Sequence, residues 1–149
     1  MESVQIKGVD STIRTTKAVL EDNTNLVVSE KIMTHGMQTA KTIFEVELNG
    51  ENASTHVTSR SVAIDNSVQE FNSNVVGNAK CFGHVECDAI IKDTAKVKST
   101  PEIIANNVEA NLIHEAAIGK IAGEQLIKLM TLGLNEKQAE QEIINGFLK

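Results

Sequence analysis

Val62-Ala63-Ile64-Asp65-Asn66-Ser67-Val68-Gln69-Glu70-Phe71-Asn72-Ser73-Asn74-Val75-Val76-Gly77-Asn78 contains two turn signals and the run between them. Asp65-Asn66 and Gly77-Asn78 are small polar pairs of the kind that favour turns. Val62-Ala63-Ile64 and Val75-Val76, which precede them, are rich in β-branched residues that suit strands. The same alternation extends in both directions. Upstream lie Asp10-Ser11, Asn23-Thr24, Gly36-Met37 and Glu51-Asn52; downstream lie Asp93-Thr94 and Asn106-Asn107. Asp10 and Asn106 stand 96 residues apart over seven steps, a mean step of about 13.7 residues, within the range of short solenoid repeats. Further strand-like runs are Leu26-Val27-Val28, Thr42 to Leu48, Val85 to Ile91 and Ile103-Ile104.

Short strands at even spacing fit a sandwich, a barrel or a solenoid. A parallel β-helix is favoured because tight hairpin dipeptides are nearly absent, Asn49-Gly50 being the exception. An antiparallel sandwich is the alternative. Composition points the same way. The chain has 149 residues, 41% hydrophobic but only 3% aromatic, all from four Phe. Its core must therefore be aliphatic, which suits ladders of like side chains in stacked coils. Read as a β-helix, 149 residues make only about four coils. An N-terminal end would then need covering by a partner, a second copy or residues not present.

The pattern changes near residue 119. Leu126, Ile127, Leu129 and Met130 recur at helical spacing within Ile121 to Leu132. Gly133 follows as a C-terminal stop. Asn135 opens a second helix with Gln138 as its capping-box partner, and Gly146 is expected to end it. The resulting division is a β-helix core over 1–118 and a helical hairpin over 119–149. The hairpin is expected to cap the open end of the solenoid, where strand edges and core would otherwise be bare. Its other face could dock a protein.

A net charge of −6, from 14 Lys+Arg against 20 Asp+Glu, together with the lack of Trp and Tyr, argues against nucleic acid as a partner. No apolar run approaches the ~20 residues needed to span a membrane. Met1 to Lys7 do not read as a signal peptide. Two Cys without an export signal fit reduced thiols and a cytoplasmic protein. Neither a P-loop nor a GxGxxG motif is present.

Cys81, His84 and Cys87 have a metal-like spacing, but on a strand His84 points away from the two thiols, which stand roughly 20 Å apart at ~3.3 Å per residue. Neither one metal nor a disulfide spans that distance. Cys87 and His114 are 27 residues apart, close to two repeats. That spacing predicts stacked neighbours on one face, with Glu115 on the other face or at a bend and Arg60 27 residues further back in the same column. An imidazolium beside Cys87 would lower its pKa and favour the nucleophilic, metal-binding thiolate. The alternative is a small buried hydrophobe beside a satisfied polar residue. His35 and His56 are expected at the surface.

The segment Leu112-Ile113-His114-Glu115-Ala116-Ala117-Ile118-Gly119-Lys120-Ile121 continues through Glu124-Gln125-Leu126 and Gly133-Leu134 to Asn145-Gly146-Phe147. It resembles the C-terminal signature of the SufB/SufD family of iron–sulfur cluster assembly proteins. Cys87-Asp88-Ala89-Ile90-Ile91 is similar to the Cys-Asp-Ser segment of SufB, and the likeness covers about residues 80–148. The resemblance implies a right-handed parallel β-helix with a short C-terminal helical region. It implies a scaffold, not an enzyme, that carries a transient iron–sulfur cluster. Cys87 would be sulfur acceptor or iron ligand, with His114 and Glu115 as further ligands. The presence of Cys87 and Glu115 makes the chain more like SufB than SufD, although Ile113 stands where SufB often has an acid. The implied partners are a SufC-like ABC ATPase, met through Glu124, Gln125, Leu126, Leu129 and Met130, a sulfur donor, and a second chain forming a homodimer or a SufB/SufD-type heterodimer. Two other readings remain: a docking and dimerisation module without cluster chemistry, and a thiol or metal enzyme using Cys87 and His114.

Overall fold

The computed structural model describes residues 8–149, so the signal-peptide reading of Met1 to Lys7 lies outside the described residues. Eight ten-residue strands follow one another: β1 (Ser11–Leu20), β2 (Asn25–Thr34), β3 (Thr39–Leu48), β4 (Ser54–Ala63), β5 (Val68–Gly77), β6 (Phe82–Ile91), β7 (Lys96–Ala105) and β8 (Asn111–Lys120). Odd strands form one sheet and even strands the other, in chain order, and every pairing is parallel. Each coil is thus two strands and two short turns, and the chain is a four-coil β-solenoid. The antiparallel sandwich is excluded.

The register fixes the true repeat. Ser11 pairs with Thr39, Thr39 with Val68 and Val68 with Lys96; Asn25 pairs with Ser54, Ser54 with Phe82 and Phe82 with Asn111. One coil is therefore 28 or 29 residues, longer than twice the step read from the turn pairs. The turns explain the pairs. Asn23, Gly36, Asn52, Asp65 and Asp93 have φ between 56° and 61°, a left-handed conformation that Gly, Asn and Asp accept most readily. Turns stack as the strands do. Asn106 Nδ2 donates to Asn78 Oδ1 at 2.7 Å, and Asn78 Nδ2 donates to Asn49 Oδ1 at 2.7 Å. At Gly50 a Cβ would lie 2.0 Å from the backbone nitrogen of Asp22 in the coil below. The Asn49-Gly50 pair thus marks a close approach between coils, not a hairpin.

Alternation along each strand sends one set of side chains inward. Half the interior is the expected apolar ladder: Val46, Leu48, Val57, Val75 and Val85 are buried, with Phe44 and Phe71 among them. The other half is polar, which the aliphatic composition did not foretell. Buried Glu30 forms an ion pair with Arg14 and accepts hydrogen bonds from Thr42 Oγ1 (2.7 Å) and Ser59 Oγ (2.8 Å). Thr34, Ser67 and Gln69 form a second buried network.

Helices α1 (Gly123–Thr131) and α2 (Glu136–Phe147) follow β8. Asn135 and Gln138 form the expected capping box, and Gly133 takes φ 99°. Gly146 does not stop α2, which runs on to Phe147. Ala139 and Ile144 bury the inner side of α2. Lys92 donates to Glu140 at 2.6 Å, and Lys31, on the first coil, reaches the carbonyl of Lys149. These contacts carry the hairpin back along the outside of the even-strand sheet. It does not cap the last coil. There the inward-facing Ile103 and Ile118 are 40% and 44% exposed, and Pro101 and Ala116 are also open. The far end of the solenoid is a bare apolar layer bounded by β7 and β8.

Candidate functional site at the open end of the solenoid

Cys87 points inward from β6 and is 2% exposed. The register places it between Ser59 below and Ala116 above. The residue expected above it, His114, instead pairs with Val85. The expectation assumed a 27-residue coil; the 29-residue offset between β6 and β8 moves His114 two positions along the strand. Two positions preserve the face, so His114 still looks inward. It is a diagonal neighbour of Cys87, at the ~7–8 Å typical of such pairs. Arg60 pairs with Asp88 and sits on the outer face. It is therefore not in the Cys87 column.

The protonation expectation also reverses. Burial pushes the Cys87 thiol up, and the charge of Asp88 adds to this while the Ser99 hydroxyl pulls against it. Burial pushes His114 down, and the charge of His84 adds to that. Both shifts work against a thiolate–imidazolium ion pair. His114 Nε2 is buried with no hydrogen-bond partner among the described residues, an unusual state for a buried polar atom. The column above Cys87 ends in the methyl group of Ala116, itself exposed at the open end. The Cys87 thiol thus lies one layer beneath the bare surface, and the uncommitted His114 nitrogen lies in the last coil itself. Cys81 is likewise buried, and its thiol is pushed up by burial. His84 points the other way, as strand alternation requires.

Glu115 leaves the outer face of β8, opposite to His114. Its Oε2 lies 3.3 Å from His84 Nε2, and its side chain is 65% exposed. Among the described residues, no three His, Cys, Asp or Glu side chains surround one metal position. Cys87, His114 and Glu115 therefore form no closed ligand set within a single chain. The outward cluster is larger than the sequence reading found. His56 stacks edge-to-face on His84, with ring centres 4.9 Å apart. Cross-strand stacking of the two histidines follows from the 28-residue offset between β4 and β6, which the shorter mean step had obscured.

On the hairpin, Glu124, Gln125 and Met130 are exposed, whereas Leu126 and Leu129 are half-buried. Ile127 and Leu132 are exposed at 63% and 76%. Of the four apolar positions at helical spacing, Ile127 and Met130 face outward. The outer side of α1 is thus an apolar strip with no cover among the described residues. None of the described helices is long and apolar enough to cross a membrane.

The family model described as "SUF system FeS cluster assembly, SufBD core domain" matches residues 1–147. The chain is 40% identical over 104 residues to an iron–sulfur cluster assembly SufBD family protein of Methanocaldococcus jannaschii, covering 69% of this chain and 33% of the relative. A SufBD family protein of Pyrococcus horikoshii is 40% identical over 107 residues, 70% of this chain and 24% of the relative. The iron–sulfur cluster assembly protein SufB of Bacillus subtilis is 31% identical over 104 residues, 66% of this chain and 22% of the relative. The matched region is thus a third or less of these curated relatives.

Proposed function

This chain belongs to the SufBD family of the SUF iron–sulfur cluster assembly system, and we propose that it is a cytoplasmic scaffold, not an enzyme, on which a cluster is transiently built. The observation that carries this reading is a thiol under a single methyl group at the bare end, with the unpartnered imidazole nitrogen of His114 diagonally above it in the last coil. Cysteine thiolates are the usual ligands of iron–sulfur clusters, and His can replace them. Cys87 accepts sulfur or iron, His114 supplies a second ligand, and Glu115 stands at the outer rim of the same edge strand. Burial keeps the thiol protonated until an incoming iron ion displaces the proton, since metal ligation favours the thiolate.

One chain offers too few ligands. A second chain seated on the bare end, as a homodimer or a heterodimer with another family member, covers Ile103 and Ile118 and completes the coordination. The division into a core over 1–118 and a hairpin over 119–149 is a division of labour: the core holds the cargo, and the hairpin docks a SufC-like ABC ATPase. Glu124, Gln125 and Met130 lie on the open side of α1, so they meet the ATPase directly. Leu126 and Leu129 hold α1 in place from behind.

The test is sulfur loading. The chain is incubated anaerobically with a persulfide-carrying sulfur donor, with and without an ABC-type ATPase, and bound sulfur is counted. Wild type is expected to take up sulfur and Cys87→Ala to take up none; equal uptake by both overturns the role of Cys87. The docking-only reading draws on the burial of Cys87, which raises its thiol pKa. Capture of the ATPase by a chain that never takes up sulfur would favour it.

A further inference from the structure

We propose that Ser99 is a positioning residue for Cys87, its hydroxyl donating a hydrogen bond that holds the Cys87 sulfur while that sulfur attacks an incoming persulfide. The inference rests on the role of Cys87 proposed above and adds to it a residue from the facing sheet. Alternation along β7 turns Val97 and Ser99 inward. Ser99 pairs with Phe71 on β5, and Phe71 and Val97 line a small void together with Cys87. The inner side of β7 therefore faces the thiol across the coil. Ser99 Oγ is buried and makes no hydrogen bond to any described residue, a rare state for a hydroxyl. The Phe71 side chain, next in its column, offers it no oxygen or nitrogen. It lies near enough to Cys87 to pull the thiol pKa down against the effect of burial.

Hydrogen-bond capacity separates Ser99 from the other serine beside Cys87. Ser59 pairs with Cys87 from the coil below and donates its O–H to Glu30 Oε2 at 2.8 Å. A serine has a single O–H, so Ser59 has none left for the sulfur. The O–H of Ser99 is uncommitted among the described residues. A neutral thiol is a weak acceptor and draws little from it. A thiolate is a charged acceptor, and hydrogen bonds to charged groups are roughly twice as strong as neutral ones. Bonds that are long or poorly aligned in the unloaded state tighten as the reaction proceeds. In the transfer the Cys87 thiolate attacks the outer sulfur of the donor's persulfide. A new S–S bond forms at Cys87, the donor's S–S bond breaks, and the donor leaves as a thiolate that takes up the proton Cys87 lost. Cys87 is oxidised to the persulfide as the donor is reduced to the thiol. Ser99 keeps its own proton throughout and fixes the attacking sulfur, which burial has separated from water.

The experiment loads the full chain with glutathione persulfide under anaerobic conditions and counts cyanide-releasable sulfur against time. Wild type, Ser99→Ala, Ser99→Thr and Cys87→Ala are compared, the last giving the background from Cys81. Ser99→Ala is expected to slow loading at Cys87 by about tenfold, and Ser99→Thr, which keeps the hydroxyl, to restore the rate. The urea midpoint of Ser99→Ala should equal that of wild type, since the hydroxyl removed has no partner among the described residues; a serine with a purely structural role would lower the midpoint together with the rate. Loading of wild type above the Cys87→Ala background with an undiminished rate in Ser99→Ala overturns the role of Ser99 and leaves that of Cys87 standing. A slow Ser99→Ala that Ser99→Thr does not restore also overturns it. Equal loading of wild type and Cys87→Ala overturns both roles.

Discussion

Glu30 shows how a solenoid this narrow accommodates a buried charge. Arg14 balances it, and Thr42 and Ser59 each donate to one of its oxygens. Glu30→Ala leaves those donors without an acceptor and is expected to destabilise the chain by about 3 kcal/mol in urea unfolding. Cys87 and His114 make the pH limits of stability readable. The Cys87 thiol is raised above its ordinary value, so the folded chain holds that proton more tightly than the unfolded one. Stability from this source is complete below about pH 8.5, where a free thiol titrates, and falls as pH rises towards the folded value. Cys87→Ala should flatten the alkaline loss of urea midpoint. The slope that remains reports Cys81, which shifts the same way. His114 is lowered, so its contribution is complete above about pH 6.5 and declines as pH falls towards the folded value. His114→Gln should reduce the acid slope of the same curve.

Among the elements, the turns were the most legible feature. Asn23, Asn52, Asp65 and Asp93 identify themselves because few other residues take up positive φ. The repeat length was not so legible. Strand ends carry no such marker, and the turn pairs are not equivalent points: Asp10 stands one residue before β1 and Asn106 five before β8, so an average over them falls short of the 28- or 29-residue coil. That shortfall moved His114 by two positions and hid the His56–His84 stack. The capping box at Asn135 was plain in sequence, and Asn135→Ala should cost ~1 kcal/mol, detectable as earlier melting of the α2 amides in hydrogen exchange. Spacing on α1 could show an apolar face but not which way it turned. Ile127 and Leu132 are open, so Ile127→Asp with Leu132→Asp should abolish capture of an ABC-type ATPase and leave the circular dichroism spectrum unchanged.

For the molecule as a whole, the fold class followed from the even spacing and the aliphatic composition, because parallel coils need neither hairpin residues nor large aromatics. The position of the hairpin did not follow. An apolar stripe on a helix cannot say which of two apolar surfaces it covers, and here α2 lies along the outside of the sheet, leaving the last coil bare. A bare layer of Pro101, Ile103, Ala116 and Ile118 with two unpaired strand edges is a surface that associates. Self-association should appear in sedimentation as a concentration-dependent dimer, and Ile118→Asp should shift it to monomer.

Anaerobic reconstitution with iron and sulfide tests the scaffold most directly, with acid-labile sulfide counted per chain in wild type, Cys87→Ala and His56→Gln/His84→Gln. The scaffold reading predicts labile sulfide in wild type and in the double His variant, with none in Cys87→Ala. Equal sulfide in Cys87→Ala, or none in any of the three, would contradict it.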